Sequence, residues 1–487
     1  MPCTQKIYVE EAVIDTLPPT TIIQQPSRPR VNLVPTKTAQ VGCSVPIIRS
    51  ATLTQECGLT HVAILTETPV ELLNANSLSV GRTIESCSQF APQGPITSQT
   101  FEIPPGRVLT LLSIIPGGQV MTCQRLLGVV DEPIILRERN GEVTLGATYQ
   151  GSLEIPGRDL TLPSRPGQAG FVARFGREGE CSWLVEVSSD VTSVLGDIQL
   201  DETGNVFLSG SYVPEGELRL KSDRISGGAR IEGGGSGVSA FLGMIDRGGQ
   251  GTWLTRIGPI PSAISSIVTG QQLAIRGGIL TLTGLFNCGN LRFYQPPSQE
   301  LTEINLKLGN SRGSSEIYLA RYTTQGVPVW ARSISVSYQP SDQPLPLSLA
   351  VGVKNQIFLS SVSNRHLFLD LDEIVVPIGT NEKISWVMKF NTHGSYKWVV
   401  WVTGTISSLR TENNILQLVG TLFPRTSTIS FFDSQLRRKQ VLARPDHRLS
   451  LTYLTEYRFN GQYVRSSKQL SGGTIDEISI VSPPCPC

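Results

Sequence analysis

Apolar residues recur along the chain at fixed distances from six glycines. The residue seven before each glycine is aliphatic, and the residue four before it is apolar or aromatic. The residue eight before it is aromatic in five of the six copies, the exception being Thr110. A tryptophan follows the glycine by four residues in four copies: Gly179/Trp183, Gly249/Trp253, Gly326/Trp330 and Gly394/Trp398. The first and last copies hold Thr122 after Gly118 and Arg465 after Gly461. Self-similarity at a near-constant period indicates an internal repeat.

Each repeat predicts about four β-strands joined by short turns. An apolar strand, a tight turn and a second strand come first, and the aromatic strand, the glycine turn and the tryptophan strand come last. Between them lies a variable segment with one short strand, as at residues 217–220 and 291–294. The first turn needs residues that accept positive φ, and the chain supplies them at Asn140-Gly141, Gly204-Asn205, Gly277-Gly278 and Asn413-Asn414.

The repeat length favours an all-β fold, a β-propeller of four-stranded antiparallel blades. Consecutive glycine anchors lie 61, 70, 77, 68 and 67 residues apart, which suits propeller blades enlarged by loops. A stacked solenoid is the competing fold, but it needs shorter and more even repeats with polar capping units. We predict six blades, with a seventh built from N-terminal residues as the alternative.

The two chain ends each resemble half of a repeat. Residues 474–481 resemble a first strand, and residues 61–66 resemble a second strand with no first strand before it. Pairing of these N- and C-terminal strands would close the ring and remove exposed sheet edges. We therefore divide the chain into an extended N-terminal arm (1–55), the propeller (56–482) and a Cys-Pro-Cys tail (483–487). We expect the arm, rich in isoleucine, valine and leucine, to dock on its own domain or a partner; disorder is the alternative.

The repeated glycines and tryptophans are interpreted as architectural residues. The glycine is predicted to be a hairpin turn residue, and the tryptophan to pack between neighbouring blades. An aromatic ligand site is the alternative, but residues repeated in every blade serve the architecture more naturally than one site. The basic residue five before the glycine (Arg174, Arg321, Lys389) lies between apolar neighbours, so we expect it to face solvent or a blade edge.

These repeats resemble the bacterial SBBP-type β-propeller repeat. The resemblance rests on FLSG at 207–210 followed by SAFLGMIDRGGQGTW at 239–253, and on YLARYTTQGVPVW at 318–330. It covers residues 60–480, and the first and last copies depart from it because they lack the tryptophan. The resemblance implies a propeller and supplies no catalytic residues. Similar propellers in surface proteins and large DNA viruses suggest a role in a virion or another assembly.

Composition adds few constraints. The formal net charge of +1 gives no global field for nucleic acid. Only 17% of residues are charged, and 47 glycines and 32 prolines suit short strands with many turns. The acidic N-terminal start is unlike a signal peptide, and no apolar run is long enough to span a bilayer. We expect a soluble cytoplasmic or virion-associated protein. The nine cysteines are interpreted as reduced thiols, with a disulfide or metal clip between the chain ends as the alternative.

Candidate chemistry is sparse. The aspartate of a sialidase-type Asp box, five before the tryptophan, is missing, and no Gly-x-Ser-x-Gly elbow occurs. We interpret the acidic cluster Asp370, Asp372 and Glu373 as strand and turn surface, and Asp201-Glu202 as a hairpin turn, not a calcium loop. The four histidines are scattered, with none paired at ligand spacing. The glycine-rich segment 226–237 lacks the lysine of a phosphate-binding loop, so a flexible insertion is the simpler reading.

The sequence therefore favours a non-catalytic scaffold or interaction protein. We predict no catalytic residue, cofactor or metal. Protein partners are expected at the arm and at non-repeating loops, with Arg437, Arg438 and Lys439 as a possible contact for an acidic partner; a solvated turn is the alternative for these three residues. The alternative function is a carbohydrate-binding or carbohydrate-active protein that uses the propeller mouth.

Overall fold

The structure, a computed structural model, describes the parts of the chain that form strands and most of the turns between them. The described residues are 5–11, 31–35, 48–56, 59–66, 70–74, 108–114, 120–155, 161–232, 237–259, 266–287, 290–296, 304–307, 316–336, 346–363, 367–369, 372–374, 384–422, 428–443, 450–471 and 478–481. Within them the chain forms strands and turns and no helix, so this part of the protein is all-β.

The strands are numbered in chain order. Those up to residue 222 are β1 (Gln5–Glu11), β2 (Val31–Pro35), β3 (Ile48–Glu56), β4 (Leu59–Thr66), β5 (Val70–Asn74), β6 (Val108–Ile114), β7 (Val120–Arg139), β8 (Glu142–Glu154), β9 (Thr161–Phe175), β10 (Cys181–Ser188), β11 (Ser193–Leu200), β12 (Val206–Tyr212) and β13 (Leu218–Ser222). Those up to residue 374 are β14 (Arg230–Ile231), β15 (Ser239–Ile245), β16 (Gly251–Pro259), β17 (Gln272–Arg276), β18 (Ile279–Phe286), β19 (Asn290–Phe293), β20 (Ile304–Lys307), β21 (Glu316–Thr323), β22 (Pro328–Val336), β23 (Ser348–Val351), β24 (Ile357–Ser363), β25 (Leu367–Leu369) and β26 (Asp372–Ile374). The last are β27 (Ile384–Phe390), β28 (Tyr396–Val402), β29 (Thr405–Glu412), β30 (Ile415–Thr421), β31 (Thr428–Phe432), β32 (Arg438–Ala443), β33 (Ser450–Arg458), β34 (Tyr463–Ser471) and β35 (Ile478–Val481).

Each of the six repeat units forms an antiparallel meander of four strands, which we number as sheets 1 to 6. The meanders are β3-β4-β6-β7, β7-β8-β9-β10, β11-β12-β15-β16, β17-β18-β21-β22, β23-β24-β27-β28 and β29-β30-β33-β34. The 20-residue strand β7 belongs to two of them, because Leu126 pairs with Leu109 of β6 and Leu127 pairs with Glu154 of β8. Sheets 1 and 2 are therefore continuous.

The variable segments of the last four units do not stay in their own sheets. Each one forms a hairpin that pairs with the fourth strand of the preceding sheet, as where Phe293 of β19 pairs with Ile257 of β16. The hairpins β13-β14, β19-β20, β25-β26 and β31-β32 extend sheets 2 to 5 in this way, giving six strands in each. The prediction of four-stranded blades thus holds for the meanders only. The added hairpin covers the backbone groups of what would otherwise be an open edge strand.

The chain ends differ in detail from the prediction. Strand β3 supplies the first strand beside residues 61–66, with Ala51 opposite Ile64. The C-terminal strand β35 pairs with β3, in parallel, with Ile478 opposite Ala51. Part of the predicted arm, β3, therefore belongs to sheet 1, while β1 and β2 form a separate three-stranded sheet with β5. Residues 12–30 and 36–47 of the arm, and the tail 483–487, lie outside the described residues.

Five anchor glycines end the turns between the third and fourth strands of their units, and the sixth, Gly118, lies outside the described residues. At Gly249, φ is +90°, its N–H donates to the Asp246 carbonyl (3.1 Å), and the Asp246 N–H donates to the Gln250 carbonyl (2.9 Å). The strand register shifts beside the turn, which makes this a hairpin with a glycine bulge. The same bonding recurs at the other anchors Gly179, Gly326, Gly394 and Gly461, where φ lies between +76° and +84°.

Three of the four predicted two-residue turns have positive φ at both residues. The φ values are 54° and 78° at Asn140-Gly141, 56° and 72° at Gly277-Gly278, and 48° and 63° at Asn413-Asn414. At Gly204-Asn205 only Gly204 has positive φ (88°), because its N–H bonds back to the Asp201 carbonyl and the turn is a longer bulged one.

The hydrophobic core lies between consecutive sheets. Five clusters of buried apolar residues each combine side chains from two neighbouring sheets. The cluster between sheets 4 and 5, for example, joins Leu319 of β21 to Trp386 of β27. Strands are consequently buried on both faces, as in β24, where every residue is buried. Because sheets 2 to 5 each pack on both sides, the described units form a continuous series of layers.

Candidate functional site

The repeated tryptophans join each sheet to the next. Each indole Nε1 donates a hydrogen bond to the carbonyl two residues before the next anchor glycine. The four bonds are Trp183 to Arg247 (3.0 Å), Trp253 to Thr324 (3.2 Å), Trp330 to Thr392 (3.1 Å) and Trp398 to Phe459 (3.0 Å). The sequence interpretation placed these tryptophans between blades, and here they contact the following unit through both ring and N–H.

The anchor glycines lie against these indole rings. A Cβ atom on Gly249 would come within 2.6 Å of Trp183, and one on Gly394 within 2.9 Å of Trp330. Gly326 and Gly461 stand in the same relation to Trp253 and Trp398, at 3.0 and 3.1 Å. The glycine thus serves two requirements, the positive φ of its turn and the close approach of the preceding tryptophan.

The basic residues five before the glycine are also part of these contacts. Arg174 is 3% exposed, and its guanidinium donates to the Arg247 carbonyl (3.2 Å) and the Gly204 carbonyl (2.6 Å), both in the next unit. It also lies over the ring of Trp183, 5.1 Å from the centroid. Burial lowers the pKa of Arg174 from its usual value, and the nearby carboxylate of Glu142 opposes that effect.

Arg321 and Lys389 make the equivalent contacts in their units. The bonds are Arg321 to the Thr392 and Asn355 carbonyls (2.9 and 3.1 Å) and Lys389 to the Phe459 carbonyl (2.6 Å). The prediction was that these residues face solvent or a blade edge. Arg174 and Arg321 do not face solvent, since Arg321 is only 2% exposed, and both contact the next unit. Carbonyl oxygens of the next unit accept hydrogen bonds from the terminal nitrogens of both guanidinium groups, and strand alternation cannot reveal such long-range partners.

The first, third and sixth units depart from this pattern, and the first has Ser113 and Thr122 at the two positions. The third unit has Met244 at the basic position, so among the described residues Trp253 alone donates to the Thr324 carbonyl. In the sixth unit Glu456 takes the basic position and Arg465 the tryptophan position. These two residues pair with each other, at 2.8 and 3.1 Å, within their own sheet. The first and sixth units therefore lack both the basic residue and the tryptophan that the second, fourth and fifth units extend to their successors.

A pocket of about 300 Å³ opens between the turns of sheets 5 and 6. Its lining includes two cationic side chains, Lys354 and Arg458, and no acidic residue; the other lining residues are Gln356, Asn413, Asn414, Ile415 and Phe459. Neither Lys354 nor Arg458 has an ion-pair partner among the described residues. The pocket is therefore a cationic cavity bordered by amide groups.

The corresponding place between sheets 2 and 3 is filled. Glu142 precedes Val143, which pairs with Phe175, just as Gln356 precedes Ile357, which pairs with Phe390. Here the Glu142 carboxylate lies 3.9 Å from Arg174 and 3.6 Å from Arg247. The remaining cavity, which these three residues help to line, is only about 10 Å³. A carboxylate thus occupies at one joint the place that an amide holds at the other.

The predicted partner contact lies at the outer hairpin of sheet 5. Arg437 and Lys439 place their side chains 3.3 and 3.0 Å from the Asp433 carboxylate, and Arg438 is exposed. Burial acts to raise the pKa of Asp433, but hydrogen bonds from the Arg437 and Gln435 N–H groups and from Lys439 hold it below its usual value. The carboxylate organises the turn while the Arg437 side chain stays 63% exposed.

Asp197 links three successive first strands. Its carboxylate accepts from Arg137 of β7 (2.8 Å) and from the Leu273 N–H of β17 (2.8 Å), while Asp197 itself lies on β11. Burial raises the pKa of Asp197, and the Arg137 guanidinium opposes that effect. The sequence analysis did not single out this residue, because its partners are 60 and 76 positions away.

A second buried polar cluster joins sheets 1 and 2. His61 Nδ1 lies 2.8 Å from the Ser113 hydroxyl, and its Nε2 lies 3.6 Å from a Glu138 carboxylate oxygen. The three residues are 1%, 6% and 9% exposed, so this Ser-His-Glu contact is enclosed within the packing. Ser113 holds the basic position of the first unit, and the cluster stands where other units place an arginine or lysine. Sequence spacing gave no sign of it.

The remaining sequence candidates have local roles or lie outside the described residues. Asp201 accepts from the N–H groups of Thr203 and Asn205, both at 2.9 Å, as a turn residue does. Asp372 lies in the outer strand β26, and Asp370 is outside the described residues. No group of three or more His, Cys, Asp and Glu side chains able to hold a metal occurs in the described part of the chain. That part also has no helix long and apolar enough to cross a membrane.

Comparison with known proteins gives little. No protein-family model matches the sequence, and no curated protein does so either. Among solved structures, BamB from Moraxella catarrhalis is similar over 63% of this chain and 87% of its own, at 11% identity and a TM-score of 0.27. A mutant of the GH43 protein BlXynB from Bacillus licheniformis is similar over 88% and 91%, at 8% identity and a TM-score of 0.26. With scores this low, neither likeness supports an inference about this chain.

Proposed function

We propose that the protein is a closed six-bladed β-propeller that acts as a non-catalytic scaffold for protein partners. Each of sheets 1 to 6 would form one blade, with the first strands around the axis and the outer hairpins at the rim. The order of contacts between first strands supports the ring. Strands β3, β7, β11, β17, β23 and β29 contact one another in succession, β29 contacts β35, and β35 pairs with β3.

The observation that supports the scaffold role is that repeated residues make contacts between sheets, whereas non-repeated residues are exposed on outer hairpins. The repeated tryptophans, arginines and glycines are committed to contacts between sheets. The non-repeating segments instead form the outer hairpins, where side chains such as Arg437 and Arg438 are exposed. A rigid ring that presents variable hairpins at its rim suits binding of partners more than chemistry on a small substrate.

Arg437, Arg438 and Lys439 are the contact we propose for an acidic partner. They follow one another in the β31-β32 hairpin, and among the described residues only Asp433 forms ion pairs with them. One carboxylate against three basic side chains leaves this hairpin with a net positive charge. Such a patch speeds association with acidic surfaces and makes binding sensitive to salt.

The test compares partner binding by the wild type and two neutralised variants. The first carries Arg437→Gln, Arg438→Gln and Lys439→Gln, and its matched control carries Lys221→Gln and Arg224→Gln on the outer hairpin of sheet 2. Partners captured from source cells are identified, purified and measured by calorimetry with each variant at several salt concentrations. We expect the first variant to lose at least about ten-fold in affinity, or about 1.4 kcal/mol, and the control to keep it.

Two results would contradict the scaffold proposal. One is a purified protein that binds no partner captured with it, and the other is turnover of glycoside substrates by the purified wild type. If partners bind but the triple variant retains full affinity, the scaffold role stands and the assigned contact is wrong.

A further inference from the structure

We propose that the pocket between sheets 5 and 6 is a binding site for a carboxylate. This assignment does not depend on the propeller being a scaffold, because it rests on the local comparison of two joints. The ligand would be a small organic acid or the carboxyl group of a peptide side chain. Both sources present the same chemistry to Lys354, Arg458 and Gln356, which line the pocket.

The pocket carries positive charge. Two cationic side chains face one cavity and no acidic residue lines it. Lys389, whose Nζ bonds to the Phe459 carbonyl beside the pocket, adds a third positive charge nearby. Burial and the neighbouring Lys397 both lower the pKa of Lys389, consistent with the scarcity of negative charge around this joint. A bound anion would relieve the repulsion and gain charge-assisted hydrogen bonds.

The equivalent place between sheets 2 and 3 already holds a carboxylate that belongs to the protein. Between sheets 2 and 3 the place of Gln356 is held by Glu142, whose carboxylate lies within 4 Å of two arginines. That joint has a residual cavity of about 10 Å³, against about 300 Å³ at the joint of sheets 5 and 6. An external carboxylate would thus supply the group that the chain supplies for itself at the earlier joint.

The pocket is also lined by neutral amide groups that can donate hydrogen bonds to a carboxylate. Gln356 lines the pocket, and the NH₂ group of its side-chain amide is a hydrogen-bond donor. The side chains of Asn413 and Asn414, on a turn with positive φ, add further amide donors at the rim. The site therefore combines point charges with neutral donors, as carboxylate sites commonly do.

The direct test is binding of N-acetylglutamate to the full-length protein, with N-acetylglutamine as the neutral control of nearly the same shape. We expect calorimetry or ligand-detected NMR to register N-acetylglutamate binding that weakens with salt, and at least about ten-fold weaker binding of the control. Equal binding of the two compounds, or binding of neither, would overturn the proposal. Tighter binding of inorganic phosphate would overturn the choice of a carboxylate.

Two substitutions place the binding in this pocket. Gln356→Glu tethers a carboxylate where Glu142 stands at the other joint, so it should abolish N-acetylglutamate binding and raise the thermal midpoint. Lys354→Gln should keep the fold and weaken binding about ten-fold through loss of one charge-assisted bond. Unchanged affinity in both variants would show that the ligand binds elsewhere.

The reciprocal variant is Glu142→Gln, which removes the internal carboxylate between sheets 2 and 3. We expect it to lower the thermal midpoint. Because glutamine has nearly the shape of glutamate and the cavity there is only about 10 Å³, N-acetylglutamate should not restore the midpoint. A Glu142→Gln variant as stable as the wild type would count against the precedent.

A short peptide with a central glutamate, compared with its glutamine counterpart, separates the two ligand sources. Binding of the peptide tighter than the free acid assigns a partner side chain, and the reverse assigns a small acid.

Discussion

The hydrogen bond from a tryptophan to the next unit contributes differently to stability at different sheet boundaries, because some acceptor carbonyls have a second donor and others do not. The Thr392 carbonyl accepts from both Trp330 and Arg321, at 3.1 and 2.9 Å. The Thr324 carbonyl accepts from Trp253, and the unit concerned has Met244 where an arginine would be. Among the described residues, losing the indole N–H would therefore leave the Thr324 carbonyl with no donor and the Thr392 carbonyl with one.

We predict that Trp253→Phe destabilises the protein more than Trp330→Phe. Both changes remove the same atoms from half-buried rings, so the cavity contribution is similar. A retained donor keeps the hydrogen-bond loss at about 0.5–1.5 kcal/mol, whereas an unsatisfied carbonyl costs about 1–3 kcal/mol. Free energies of unfolding from urea titrations measure the difference.

The double variant Arg321→Met, Trp330→Phe is the control for this prediction. It recreates the third unit's composition, so its indole loss, measured against Arg321→Met alone, should approach that of Trp253→Phe. Equal destabilisation by Trp253→Phe and Trp330→Phe in the parent chain would refute the role assigned to the second donor.

Asp433 gives the molecule a predictable pH dependence. Its pKa in the folded state is lowered, although burial opposes this, by hydrogen bonds from Arg437, Gln435 and Lys439. An acid with a depressed folded pKa contributes stability above its unfolded pKa of about 3.9, and loses it as pH falls through the folded pKa. We predict that the stability difference between wild type and Asp433→Asn is largest near neutral pH and shrinks below about pH 4. Urea unfolding at a series of pH values measures it; a difference that stays constant down to pH 2 would contradict the assignment.

At the scale of the hairpin, the anchor glycine meets two constraints, the positive φ of its turn and the close approach of a tryptophan ring. Substitutions at different glycines can separate their effects. Gly249 has φ of +90°, and a Cβ there would lie 2.6 Å from Trp183. Gly278 also has positive φ, +72°, but a Cβ there would meet nothing within 4 Å. Comparing alanine at the two positions separates backbone strain from the clash with the preceding unit.

We predict that Gly278→Ala costs about 1–2 kcal/mol of unfolding free energy, from the left-handed backbone alone. Gly249→Ala should cost that amount and a further 1–3 kcal/mol or so for displacing the indole. The measurement is again urea unfolding, with indole fluorescence as a second signal of movement at Trp183. If the two variants lose the same stability, the glycine is required for its turn only.

The strands themselves were largely predictable, and their partners only in part. The spacing of Gly326 and Trp330 predicts a hairpin, and β21 and β22 form it, because a turn and its flanking strands are encoded within about fifteen residues. Residues 291–294 were also predicted as a strand, and β19 lies there. Its pairing with β16 of the preceding unit was not predicted, because an edge strand accepts any extended segment that reaches it.

The same limit explains why the sequence did not predict the burial of Arg174 and Arg321. Alternation along β9 places Arg174 between apolar neighbours, which describes the strand but not the surface against which it packs. Its acceptors, the carbonyls of Gly204 and Arg247, come from turns 30 and 73 residues away. Backbone carbonyls leave no signature in side-chain sequence, so a buried guanidinium held by them reads as a surface residue.

For the molecule as a whole, the pairing of outer hairpins with fourth strands leaves one fourth strand without a partner among the described residues. The hairpins β13-β14, β19-β20, β25-β26 and β31-β32 each begin four to seven residues after the second strand of their own unit, and each pairs with the fourth strand of the unit before. Strand β5 begins four residues after β4, the second strand of the first unit. In a closed ring the unit before the first is the sixth, whose fourth strand β34 has no outer partner among the described residues.

We therefore predict that β5 pairs with the outer edge of β34, antiparallel, and carries β1 and β2 with it as further strands of sheet 6. Amide hydrogen exchange over residues 463–471 measures this, because outward-facing N–H groups of a paired strand are protected and those of a free edge are not. We expect Leu72→Pro, which removes a backbone donor from β5, to accelerate exchange in β34 at least about ten-fold, with Leu72→Ala as the control that keeps the donor. Exchange in the peptides of β10 should be unaffected, since β13 covers that strand. Rapid exchange along β34 in the wild type would mean that the edge is open and that β1, β2 and β5 stand apart from the ring. Protection that survives Leu72→Pro would mean that a different segment covers it.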